Sequence, residues 1–157
     1  MKATKHCGFF ILAALVFSAA AAMAAESMKF WSYDMLTIQT PKDWTLEKDK
    51  NERITIFSAD KSTCVKVHVL EPIIKETSRE IAEISRAKVN GSELKDNGDG
   101  LFSFTFEIDG KRVRSIVGKI HASAIIISVT GEDPNLEAVM KSLKLKLTFV
   151  PSIGSLL

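Results

Sequence analysis

Charge of one sign is what this chain lacks first. Across 157 residues, 21 lysines and arginines stand against 19 aspartates and glutamates. Two of the basic residues, Lys2 and Lys5, fall in a leader-like start; without them 19 basic residues balance the 19 acidic ones. Phosphate binding needs a clustered positive face, so nucleic acid is not an expected partner. Cysteine is scarce as well, with only Cys7 and Cys64. Once Cys7 departs with the leader, Cys64 stands alone. That excludes an internal disulfide and a dithiol redox motif. In the alternating stretch STCVKVHVL, a lone cysteine reads as a small buried hydrophobe.

Clustered metal ligands are missing too. Of three histidines, His6 lies in the leader, leaving His68 and His121. Cys64 and His68 share a face of one strand, but four residues of strand separate their Cα atoms by roughly 13 Å. They cannot hold one ion together, and His121 would have to approach from another strand. The turn DNGDG at 96–100 has the flavour of a calcium loop but lacks the full ligand pattern and its distant glutamate. There is no glycine loop to cradle phosphate, no G-x-S-x-G elbow, and no cysteine–histidine pair in a recognisable context. Ser115 and Ser128 sit in ordinary strand patterns. Glu80 and Glu83 lie on a solvent helix face, and Asp96 and Asp99 lie in a turn. No catalytic residue, metal or cofactor is therefore assigned.

What the chain does have begins with an address. Lys2 and Lys5 form a positive start, residues 8–17 (GFFILAALVF) an apolar run, and residues 18–25 a small-residue stretch containing Ala22-Met23-Ala24. That is the layout of a secretory signal peptide over residues 1–24. The rival is an uncleaved anchor, since the apolar run over 8–25 is borderline for spanning a bilayer. Its richness in alanine suits a peptidase better. Lipidation would need a cysteine at the end of the run, and Cys7 precedes it. Residues 25–157 then form one domain, 133 residues with no repeat, linker or composition break. A chain of that size buries about two-thirds of its unfolded surface and needs no disulfide or metal to fold. The expected location is periplasmic or secreted, with no transmembrane helix after cleavage.

Hydrophobic periodicity sets out the elements. Residues 36–40 read as a strand, ended by the turn Pro41-Lys42-Asp43. Residues 46–53 (LEKDKNER) read as a polar hairpin loop. Strands follow at 53–58 and 63–70, the second alternating Val65, Val67 and Val69 with Lys66 and His68. The period then changes. Thr77 or Ser78 can cap a helix whose apolar positions are Ile81, Ile84 and Val89, ended by Asn90-Gly91. Phe102, Phe104, Phe106 and Ile108 alternate along a strand at 101–108, and Asp109-Gly110 predicts a type I′ hairpin into 111–120. Residues 122–130 contain AIIISV, apolar on both sides, which predicts a central strand. Asp133 can cap a last helix with Pro134 at its first position and a stripe of Leu136, Val139, Met140 and Leu143. The fold class is α+β: an antiparallel sheet of about six strands flanked by two helices.

This order of elements resembles the PsbP/DcrB-like family, which includes the PsbP subunits of photosystem II and the bacterial periplasmic protein DcrB. The matching stretches are LTIQTPKDW, RITIFSAD, CVKVHVLE, SREIAEISRAK, FSFTFEIDGKRVRS, AIIISVTG and LEAVMKSLKL, from Leu36 to about Lys146. The resemblance implies an antiparallel sheet with flanking helices and a non-enzymatic accessory or binding role. Bacterial relatives are often lipoproteins, and this chain departs from them there.

Fold alone does not give function, so candidate sites are weighed by residue. Trp44, after a turn proline, reads as a plug on the sheet's end, with ligand contact as the alternative. Phe30, Trp31 and Tyr33 lie just past the leader and either dock on the body or stay exposed for a partner. Arg112 and Arg114 point to one face of a strand. They are a solvated or edge-protecting pair, or a patch for an acidic partner or a lipid headgroup. Two functions remain open. One is a protein-interaction module assisting an envelope complex, which predicts an exposed apolar or basic patch and no deep pocket. The other is a carrier of a small amphipathic ligand, which predicts an apolar cavity between sheet and helices with a few polar groups. Oligomeric state is not fixed by these features.

Overall fold

A computed structural model describes residues 28–33, 36–51, 53–70, 75–120 and 123–145. The leader, His121 and the tail after residue 145 lie outside the described residues.

Alternating apolar residues build two antiparallel sheets. The strands are β1 Met28–Ser32, β2 Leu36–Pro41, β3 Thr45–Lys48, β4 Ile54–Phe57, β5 Cys64–Leu70, β6 Lys95–Asp96, β7 Leu101–Ile108, β8 Lys111–Ile120, β9 Ser123–Thr130 and β10 Lys144–Leu145. The helices are α1 Ser78–Lys88, between β5 and β6, and α2 Leu136–Ser142, between β9 and β10. The main sheet has seven strands in the order β3-β4-β5-β9-β8-β7-β6, and a smaller one runs β1-β2-β10. The architecture is thus the α+β antiparallel sheet with two helices read from the sequence, the main sheet having one strand more than about six.

β9 occupies the middle of the seven strands, as its two-sided apolar pattern requires. Ile125, Ile127 and Val129 face one core and Ala124 the other. The first core lies between the main sheet, the small sheet and α2. Ile54, Ile56, Val65 and Val67 meet Leu36, Ile38, Val139 and Met140 there. Trp44 joins it at 2% exposure, so the tryptophan after the turn proline is a plug. The second core is smaller: Ile81 and Ala82 of α1 pack on Phe102, Phe104 and Val117.

Local signals hold where side chain and backbone agree. Thr77 Oγ1 accepts the Glu80 N–H while a Glu80 carboxylate oxygen accepts the Thr77 N–H, a complete capping box on α1. At the other end Asn90 takes a positive φ of 51°, and the Gly91 N–H returns to the Arg86 carbonyl, closing a Schellman turn. Asp109 and Gly110, with φ of 51° and 72°, form the two-residue turn between the paired Ile108 and Lys111.

Three expectations change. Residues 45–48, read largely as loop, form the edge strand β3 paired with β4. Edge strands carry charge to deter further pairing, so Glu47 and Lys48 look like loop residues. Only the half-buried Leu46 betrays the strand. Residues 28–32, given no element from the sequence, pair with β2 as β1. The last helix starts at Leu136, two residues past Pro134. Asp133 serves the turn before it, where its Oδ1 accepts the Asn135 N–H at 2.7 Å.

Candidate binding groove

An α-helix is about 10–12 Å across and strands lie about 4.8 Å apart, so one helix shelters little more than two strands. α1 packs on β7 and β8. The same face of β9 and β5 stays beside it rather than beneath it. The result is an open groove of about 420 Å³ along the helix. Ile81, Ile84, Ser85, Lys88 and Val89 form its helical wall, falling at the spacing that places residues on one side of a helix. Phe104 and Phe106 of β7 and Ile126 of β9 form the floor.

Burial grades along the groove. On β7, Phe102 and Phe104 are buried, Phe106 is half-buried, and Ile108 is 52% exposed. The Phe104 and Phe106 rings lie 5.9 Å apart. On α1, Ile81 is buried while Ile84 is 50% exposed, and Val89, the residue that caps the helix's C-terminus, is exposed. The sequence places Ile84 and Val89 on the helix's apolar side, and the structure leaves both uncovered. The polar groups are few. Ser115 and Ser128 bring their hydroxyl oxygens within 3.2 Å of each other. His68 lies on the β5 side, half-buried. Burial and the nearby Arg53 cation hold its pKa below the ordinary 6.5, opposed by Asp49, so the imidazole is neutral at neutral pH. Lys88 and Glu76 add one charge of each sign to the lining. The arrangement can hold an apolar segment and offer neutral hydrogen-bonding groups beside it.

The residues singled out from the sequence go elsewhere. Trp31 and Tyr33 pack against the first core, and Trp31 Nε1 donates to Thr40 Oγ1 at 2.9 Å. Phe30 points to the opposite face of β1 and is 62% exposed. Arg112 and Arg114 are both exposed and lie across from Glu107 and Thr105 of β7. They line a shallow concavity of about 720 Å³ with Lys111, and with Glu132, Asp133 and Glu137. Three acids beside three bases make that surface mixed in sign, not a basic patch. Cys64 is a half-buried free thiol, and burial pushes its pKa up, which favours the protonated form. Among the described residues, no three His, Cys, Asp or Glu side chains gather as a metal site. Nor is any helix among them long and apolar enough to cross a membrane.

No family model matches the chain, and a search of curated proteins finds no match. Among solved structures the chain is similar to cyanobacterial PsbP (CyanoP) from Synechocystis sp. PCC 6803. The superposition has a TM-score of 0.53 at 11% identity and covers 76% of this chain and 92% of that one. A second similar structure comes from Bacteroides thetaiotaomicron VPI-5482, with a TM-score of 0.44 at 16% identity over 71% of this chain and 45% of that one. The fold is PsbP-like.

Proposed function

We propose that this chain is exported and serves in the cell envelope as a non-catalytic accessory domain, engaging a protein partner through the groove beside α1. The leader pattern supports export to a periplasmic or extracellular location. The PsbP-like fold supports the accessory reading. The observation that carries the binding role is the uncovered apolar wall: Ile84 at half exposure and Val89 stand over Phe106 and Ile126. A helix residue left half-exposed beside an aromatic floor gains from burial by something outside the domain.

A second reading, a carrier of a small amphipathic molecule, has its own support. The groove's volume of about 420 Å³ falls within the range of small-molecule sites, and the Ser115–Ser128 hydroxyls sit among apolar neighbours. Photocrosslinking in intact cells separates the two. A benzophenone amino acid at position 84 is compared with one at position 47, exposed on the edge strand β3. A protein adduct specific to position 84 supports the interaction module. A small-mass adduct specific to position 84 supports the carrier. Equal adducts at both positions, or none at 84, contradict a role for the groove.

A further inference from the structure

A different surface carries a second conclusion. The two sheets present four edges among the described residues: β3 and β6 on the large sheet, β1 and β10 on the small one. Open edges invite pairing with other chains, and folded proteins blunt them with charge, proline, shortness or cover. Two of these edges are blunted. β3 has four residues and exposes Glu47 and Lys48. β6 has two residues, followed by a turn. On the β10 side of the small sheet, the stretch of β2 beyond the Lys144–Thr37 pair is covered: Ser142 Oγ accepts the Gln39 N–H at 2.8 Å and donates to the Gln39 carbonyl at 3.0 Å. Pro41 has no N–H to offer there.

β1 is the exception. It has five residues, MKFWS, with a single charge, and Phe30 is 62% exposed. We infer that β1 pairs with β1 of a second copy of this chain, antiparallel and centred on Phe30, joining two small sheets into one. In that register each Phe30 lies opposite the second copy's Phe30, an aromatic cross-strand pair on the exposed face. Each Lys29 lies opposite the second copy's Trp31 on the other face. Within one chain the Lys29 ammonium already sits 4.7 Å from the Trp31 ring centroid. The indole is fixed by its bond to Thr40. Pairing therefore sets cation beside aromatic and never like charge beside like charge. Two-fold symmetry about an axis normal to the sheet requires that opposed residues share a face. Registers displaced by one residue are thereby excluded, and centring on Phe30 is the choice that engages all five residues. Five residues of edge bury far less than a permanent interface does, so the dimer is weak and concentration-dependent.

Disulfide trapping tests the register on the full chain, purified as the cell processes it, in a Cys7→Ser, Cys64→Ser background. Phe30→Cys places two thiols on opposed residues, with Cα atoms about 4.5–5.5 Å apart, within reach of a disulfide. Ser32→Cys places them roughly 14 Å apart along the strands, beyond reach. The expected result is a crosslinked dimer under mild oxidation for Phe30→Cys and little for Ser32→Cys. Equal trapping of both, or of neither, overturns the assignment. Sedimentation equilibrium gives an independent reading without cysteines. Wild type is expected to move toward dimer mass as concentration rises to about 1 mM, where even weak contacts register. Phe30→Lys, which sets like charges opposite each other, is expected to stay monomeric with an unchanged melting temperature. A wild type that is monomeric throughout leaves this edge to a strand from another protein and overturns the second-copy assignment. So does a Phe30→Lys chain that dimerises as well as wild type.

Discussion

On one face of the seven-stranded sheet, Ile56, Val65 and Ile127 meet Leu36, Ile38 and Trp44 with almost no surface left to solvent. On the other face, a single strand runs from buried Phe102 to half-exposed Ile108, and α1 leaves Ile84 and Val89 in the open. The two faces use the same residue types in the same alternation. They differ in how much covers them. A second sheet together with a helix closes the first face. A single eleven-residue helix covers two strands of the second and stops. One side of the sheet is closed core, and the other keeps apolar surface exposed, the surface to which the proposed binding role is given.

Substitutions sharpen that contrast. Trp44→Ala, on the closed face, should destabilise by about 3–5 kcal/mol, read as a shift in the denaturant midpoint, because it empties a buried aromatic site. Thr77→Ala, which removes the cap of α1, should cost about 1 kcal/mol. The same variant should speed amide exchange in α1 while leaving β4 and β5 protected, since the open face opens independently. Ile84→Glu, in the groove wall, should change stability by no more than about 0.5 kcal/mol, because half of Ile84 is already in water. A loss in the range of Trp44→Ala would mean that the groove is core and not surface.

pH probes the open face through His68. His68 is held below its ordinary pKa of 6.5 in the folded chain, by burial first and Arg53 second. As pH falls through 6.5, the unfolded chain takes up the proton before the folded one does. The contribution of neutral His68 is therefore fully present above 6.5 and is lost between 6.5 and its lower folded value. The denaturant midpoint should drop from about pH 7.5 to about pH 5.5, and His68→Gln should flatten that part of the drop. An unchanged slope would place His68 outside any partly buried site.

Much of the fold is legible in the chain because local and tertiary demands coincide. The capping box of Thr77 and Glu80, the Asp109-Gly110 turn and the two-sided apolarity of AIIISV each specify one structure by themselves. β3 and β1 are less legible, since edge strands are shaped by what must not pair with them as much as by what does. The groove is the least legible feature. Ile81, Ile84 and Val89 form one helical stripe in sequence, and nothing in that stripe says which of them the sheet will reach. That depends on how many strands the helix spans, a quantity fixed only when β5 and β9 pair alongside β8 and β7. The one visible trace is the width of the stripe, more than a helix over two strands can bury.

If the face beside α1 is left open for a partner, as proposed, the wild-type protein purified gently from its own host should carry a bound polypeptide in native mass spectrometry, and the equally folded Ile84→Glu chain should lack it. Identical compositions in the two forms, whether bare or loaded, would show that the groove binds no such partner.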